Sequence, residues 1–161
     1  MDAPLIANLA DLPAFGRAGG PVVLVPEPLE HPWPDMGLNV RVLQPGERAS
    51  LYHSEPVQED FLVLHGECLA ILDEHEHQLR AWDLVHCPAG MPHVFIGAGD
   101  GPCAVLMIGS RRLDEAHYPV SAVAARHGAS VEVATDDPDV AYGRDPDDDD
   151  WGPVENPWPP G

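Results

Sequence analysis

Between Leu38 and Gly109 short apolar runs follow one another at close, even spacing: LNVRVLQ, ASLYH, DFLVLHG, CLAILD, HQLRA, DLVHCP, HVFIG and AVLMIG. Turn signals separate them: Pro45-Gly46, Gly66-Glu67, Pro88-Ala89-Gly90 and the cluster from Gly97 to Gly101. Runs of this length, rich in β-branched and aromatic residues and bounded by Gly and Pro, predict strands. Many short strands with no helical pattern between them predict an all-β sandwich or barrel, not alternating βαβ units. Residues 1–37 are rich in Pro and Gly, and Val22–Val25 is the one strand expected there. Prolines at 26, 28, 32 and 34 exclude a helix from that stretch. Past the strand-rich region 38–110, the stretch 111–134 contains SAVAARHG, which predicts a short helix capped by Ser121 and stopped at Gly128. The remainder, 135–161, is acidic and proline-rich, so disorder and a draped tail are equal expectations, with Trp151 and Trp158 as docking points if it drapes.

Composition narrows the partners. The 161 residues hold 27 acidic against 8 basic side chains, a formal net charge of -19. Affinity for nucleic acid comes largely from Lys and Arg displacing counterions, so neither nucleic acid nor an anionic membrane surface is an expected partner. Residues 136–150 carry much of the excess, which leaves the strand-rich region closer to neutral. Three cysteines (Cys68, Cys87 and Cys103) with no close pair fit neither a disulfide framework nor a zinc knuckle. The first residues lack the basic stretch of a secretory signal. No apolar run reaches the roughly 20 residues that span a bilayer. A cytoplasmic, reduced protein is the expectation.

Two segments carry chemistry. In PGERASLYHSEPVQEDFLVLHGE, His53 and Glu55 stand two apart and share a face on a strand reading. Pro56 turns the chain and Glu59 opens the next strand, where a hairpin ladder would set it opposite the first two. In AWDLVHCPAGMPHVFIG, His93 follows a tight turn, and only a barrel or sandwich would bring it to His53. His86 leads into that turn, either as an inward acid–base or supporting group or as a hydrogen-bonded core histidine. His75 and His77 fall in an expected hairpin turn and are read as solvent-exposed. Tyr52 should point away from His53 by alternation, and Cys87 and Cys103 read as small core residues. Phe61, Val63, Leu69, Ile71 and Phe95 are expected to line or cap the interior.

Gly46, His53, Glu55, Glu59 and Gly66, followed by Asp83, Pro88, Gly90 and His93, resemble the two signature motifs of the cupin superfamily. Three positions depart from the pattern: Glu55 replaces the usual second histidine, Gly46 lies one residue further from His53, and Gly97 replaces a common asparagine. The resemblance implies a double-stranded β-helix barrel of jelly-roll type. It also implies a divalent metal on His53, Glu59 and His93, with Glu55 as a fourth ligand or a base. Two imidazoles and two carboxylates form a hard donor set that favours Fe(II) or Mn(II) over Zn(II) or Ni(II). Without Glu55, the remaining two histidines and one carboxylate leave open positions for oxygen or a bidentate substrate. Small cupins of this kind are commonly homodimers, and Val22–Val25 is a candidate for the strand that joins two subunits.

Three function classes follow. The first is a metal-dependent enzyme on a small organic molecule, a dioxygenase above all, with non-redox isomerase, epimerase or lyase chemistry as its variant. In that variant Glu55 or His86 moves the proton. The second is a binding module without turnover. The third is an interaction protein that works through its tail.

Overall fold

The computed structural model describes residues 4–17, 20–30, 32–113, 115–143 and 151–158. Ten strands dominate: β1 (Ala14–Gly16), β2 (Val22–Leu24), β3 (Met36–Leu43), β4 (Glu59–His65), β5 (Glu67–Leu72), β6 (His75–Arg80), β7 (Leu84–Cys87), β8 (His93–Ala98), β9 (Cys103–Ser110) and β10 (Gly152–Val154). Two short helices, α1 (Ala122–Ala125) and α2 (Pro138–Tyr142), and one 3-10 turn at Leu9–Asp11 complete the described elements. The strands form a seven-stranded sheet in the order β10-β1-β2-β3-β9-β4-β7 and a three-stranded sheet in the order β6-β5-β8. Every pairing within these sheets is antiparallel among the described residues. This is the jelly-roll architecture of the double-stranded β-helix.

Three apolar clusters stack the layers. Between the sheets, Leu43, Phe61, Val63 and Val105 of the larger sheet meet Cys68, Ala70 and Phe95 of the smaller one. Phe61 and Phe95 are tilted rings with centroids 4.4 Å apart, a contact worth about 1 kcal/mol beyond its buried area. On the outer face of the small sheet, Tyr52, Leu69, Ile71, Val94 and Ile96 pack under Ala124 and Ala129. On the outer face of the large sheet, Leu24, Val40, Val42 and Ala104 are covered by Leu9, Leu12 and Trp158. Leu69 and Ile71 therefore lie outside the interior they were expected to line. Cys68 to Leu72 (CLAIL) is apolar throughout, because β5 is buried on both faces, and such a run gives no phase to its alternation.

Other expectations meet the structure in the same way. Val22–Leu24 is a strand, but it pairs with β1 and β3 of its own chain, so that strand is not left free for a second subunit. The end of the chain is draped over residues 151–158: β10 pairs with β1, and the Asn156 amide donates to the carbonyls of Leu9 and Leu12 at 2.9 Å each. The acidic run 144–150 lies outside the described residues. Ser121 caps α1 as expected, accepting from the Ala124 amide at 3.0 Å. The hairpin turn falls on Asp73-Glu74, with φ values of 46° and 66°, the mirror-image geometry that joins two twisted strands with two residues. His75 and His77 consequently stand on β6 itself, exposed as expected but outside the turn.

Gly97 departs from the family pattern for a steric reason. Its amide donates to the Glu47 carbonyl and its carbonyl accepts from the Gly46 amide, both at 2.8 Å. A Cβ built there would stand 2.1 Å from the Gln44 carbonyl oxygen. Backbone cannot yield as a flexible side-chain tip does, so Gly97→Ala is expected to cost about 1–3 kcal/mol. Urea denaturation of the two proteins measures it, and an unchanged midpoint would refute the packing argument.

A candidate metal centre at one end of the sandwich

His93 opens β8 on the small sheet and Glu59 opens β4 on the large one, at the same end of the molecule. His53 precedes β4 without belonging to a strand, and it is tied to His93 by an isolated antiparallel bridge. The bridge is two backbone hydrogen bonds, His53 amide to His93 carbonyl at 3.1 Å and the reverse at 2.8 Å. The expected hairpin between the His53 segment and β4 is thus absent. After Pro56 the chain crosses to the opposite sheet, where β4 pairs with β7 and β9. Glu59 meets the histidines across the gap between sheets, not across a ladder.

One ligand atom from each of His53, Glu59 and His93 falls within 4.8 Å of the others. Each imidazole is oriented by its own backbone: His53 Nδ1 lies 2.7 Å from the Leu51 carbonyl and His93 Nδ1 lies 3.0 Å from that of Met91. A carbonyl only accepts, so Nδ1 carries the proton in both rings and Nε2 keeps its lone pair for a ligand. His93 Nε2 stands 3.2 Å from Glu59 Oε2. The rings are packed against neighbours, His53 stacked on Tyr118 at 5.7 Å and His93 tilted on Phe61 at 5.0 Å.

Burial sets the protonation of the group. It pushes the Glu59 carboxyl up to about 8, with the nearby Glu55 charge adding to it. It brings His93 down to about 4, helped by the proximity of His53. His53 is lowered as well, by burial first and then by the Arg41 charge, partly offset by its hydrogen bond to the Leu51 carbonyl. Two neutral imidazoles offer oriented lone pairs to a divalent cation, whose charge would reverse the effect of burial on the carboxyl beside them. The donor set fits such an ion, and a cation is what would let Glu59 ionise.

Glu55 stands on the same cavity wall with Oε1 3.8 Å from His53 Nε2, beside the three-residue group and not within it. His86 faces the other way. It pairs with Asp60 across the β4–β7 ladder, its Nδ1 2.7 Å from Asp60 Oδ1, and its side chain is 52% exposed. Glu59 and Cys87 occupy the next rung, so strand parity that turns Glu59 inward turns His86 outward. Tyr52 is buried under α1 and accepts from the Glu74 amide at 3.1 Å, away from the group as alternation requires.

The cavity over the group holds about 560 Å³. Besides the three residues and Glu55, its wall includes Asn39, Arg41, Phe61, Phe95, Arg111 and Tyr142. Sequence reasoning missed Asn39, Arg41 and Tyr142. Asn39 and Arg41 alternate with Leu38, Val40 and Val42, which by the usual rule makes them the wet side of a half-buried strand. Terminal segments cover the apolar side of β3 instead, and its polar side faces the cavity. Tyr142 comes from α2, where the Pro138 start and the Asp137 cap were legible but went unread within an acidic stretch.

The fold and this polar group together define a metal-compatible jelly roll of the double-stranded β-helix class. Residues 39–109 match the family model described as Cupin domain. No curated protein matches it. Among solved structures, a sugar phosphate isomerase of the cupin superfamily from Silicibacter pomeroyi is 26% identical, with 66% of this chain and 74% of that one covered and a TM-score of 0.51. The polyketide cyclase RemF from Streptomyces resistomycificus is 14% identical, covering 71% and 84%, with a TM-score of 0.60. A putative sugar phosphate isomerase from Acidithiobacillus ferrooxidans is 25% identical over 52% of this chain, with a TM-score of 0.47; the chain spans only 54% of its length. No helix among the described residues is long and apolar enough to cross a membrane.

The protonation pattern gives a pH-dependent outcome. In the metal-free chain Glu59 holds its proton up to about 8, while His93 titrates near 4. Binding Zn(II) at about pH 6.5 should therefore expel about one proton per ion from Glu59, falling towards none as the pH passes Glu59's value. Titration calorimetry in buffers of different ionisation enthalpy counts the protons. Glu59→Gln should abolish the release, whereas His86→Ala should leave both affinity and release unchanged.

Proposed function

We propose that this chain is a metal-dependent enzyme acting on a small, oxygen-rich molecule, with proton transfer as its chemistry. The observation that carries the reading is Glu55. It is a carboxylate on the cavity wall, adjacent to the His53, Glu59 and His93 group but outside it, at the position where most of the superfamily resembled has a histidine. A divalent ion on that group would supply Lewis-acid polarisation of a carbonyl or hydroxyl oxygen. Glu55 would then take a proton from the carbon beside the polarised carbonyl and return it to the neighbouring atom. Phe61 and Phe95 form an apolar floor that keeps water from the reacting end. The cavity's polar wall suits a hydroxylated substrate. The likeness to a structure named as a sugar phosphate isomerase, at 26% identity, points the same way.

A second reading rests on the group itself. Two histidines and one carboxylate with open positions are also the donor set of oxygen-using iron enzymes. Metal content and reaction products separate the two. Elemental mass spectrometry of natively purified protein should find near-stoichiometric divalent metal that His53→Ala loses. Incubation of the loaded protein with a panel of aldose and ketose phosphates in D₂O should then place deuterium on carbon, read by NMR. Glu55→Gln should slow that exchange by about 100-fold or more. Iron-dependent oxygen consumption without carbon exchange would instead establish the oxidative reading, and a chain that retains no metal after reconstitution would refute both.

A further inference from the structure

Asn39 and Arg41 stand two residues apart on β3 and line the cavity together. Both carry a buried atom with no hydrogen-bond partner among the described residues, Asn39 Oδ1 and Arg41 Nε. Buried polar atoms are seldom left unsatisfied, and two on one wall mark a surface built for something else. The contrast with Arg111 sharpens this. Arg111 lines the same cavity, but Glu27 neutralises it. No carboxylate among the described residues forms an ion pair with Arg41.

The register shows how the cavity is laid out. Across β9, Glu59 is level with Gly109 and then Gly37, whereas Val63 is level with Val105 and then Arg41. Four residues of β3 therefore separate the Glu59 row from Arg41, about 13 Å along the strand. Gly37 and Gly109 present no side chain in the Glu59 row, and Asn39 lies midway between the two rows. The Arg41 backbone thus sits in a different row from Glu59, while its side chain lines the same cavity as the His53, Glu59 and His93 group.

We propose that Arg41 and Asn39 are the substrate-recognition pole of this cavity, and that the substrate is a small hydroxylated oxyanion, a carboxylate or a phosphate, held with its anion on Arg41. The inference deepens the reading of the cavity as a metal-dependent active site and rests on it for the word substrate. Arginine's planar fork matches the oxygens of a carboxylate or phosphate two at a time, which lysine cannot reproduce. Asn39 Oδ1 accepts from a hydroxyl, and rotating the amide offers a donor to the anion instead. A chain of net charge -19 repels anions at long range, so an anion site in it must be local and desolvated, as this one is.

The test uses the full chain after metal has been stripped by chelation, so that binding is read apart from the metal centre. Calorimetric titrations with inorganic phosphate, glycolate and the neutral control glycerol should show one or both anions binding and glycerol not. Arg41→Met should weaken anion binding at least 10-fold, Arg41→Lys several-fold, and His86→Ala, outside the cavity, should leave it unchanged. The melting temperature of Arg41→Met should match or exceed the native value, since an unpaired charge has been removed. Tighter phosphate than glycolate identifies a phosphorylated substrate, and the reverse order a hydroxy acid. Equal anion affinity in Arg41→Met, no anion binding by the native chain, or a lowered melting temperature with full binding in Arg41→Lys would each overturn the proposal. A chain that binds anions but never retains metal would overturn the metal-dependent reading alone.

Discussion

The rest of the structure depends on the backbone bridge between His53 and His93. Its two hydrogen bonds, at 3.1 and 2.8 Å, are the point where an irregular segment of the chain is fixed to the edge of the small sheet. With that segment fixed, each histidine can turn its Nδ1 onto a carbonyl two residues upstream in its own chain, Leu51 and Met91 respectively. The two Nε2 atoms then converge without any help from a ligand. Glu59 reaches them from the other sheet, so the group also straps the sandwich at its open end. Backbone bonds of this kind are short-range and directional, and they hold the imidazoles more tightly than side-chain packing alone would.

A second constraint works outward from the first. A sandwich whose interior carries Glu59, His93, Asn39 and Arg41 cannot be dry throughout, so much of its apolar burial is moved to the outside of the sheets. The 3-10 turn, Trp158 and α1 provide that cover, and they come from the ends of the chain. Strands β1, β2 and β10 extend the large sheet beyond the strands that build the cavity. The termini thus contribute stability while the middle of the chain contributes chemistry, the division a small domain needs when its core is partly given to a polar site.

Much of this was legible from residue order. The run from Leu38 to Gly109 gave strands close to where they lie, because Gly and Pro punctuate them and β-branched residues fill them. His53, Glu59 and His93 could be picked out as a set, since two motifs at the right separation leave few other histidines and carboxylates to choose. What was not legible was direction. Alternation says which residues share a face but not which face is inside, and on β3 the polar face is the inner one. His86 fell to the other side of that same ambiguity, and Leu69 and Ile71 did because β5 is apolar on both faces. The segment Ala49–His53 read as a strand but is held by bridges alone, since its pairing lies across the molecule and leaves no local trace.

Arg41 and Glu59 show what that ambiguity conceals. Each is a burial that costs stability in the metal-free chain, one as a guanidinium with no carboxylate to pair with among the described residues, the other as a carboxyl driven from its ordinary range. Opposite charges in one cavity could offset each other at contact distance, and the protein would be more stable if they did. The β3–β9–β4 register sets their backbones on rows four residues apart, and no ion pair joins them. A fold that only had to be stable would exchange Arg41 for an apolar residue at this depth. Retaining Arg41 on the wall of this cavity without a carboxylate partner among the described residues is a physical arrangement that an anionic guest would satisfy.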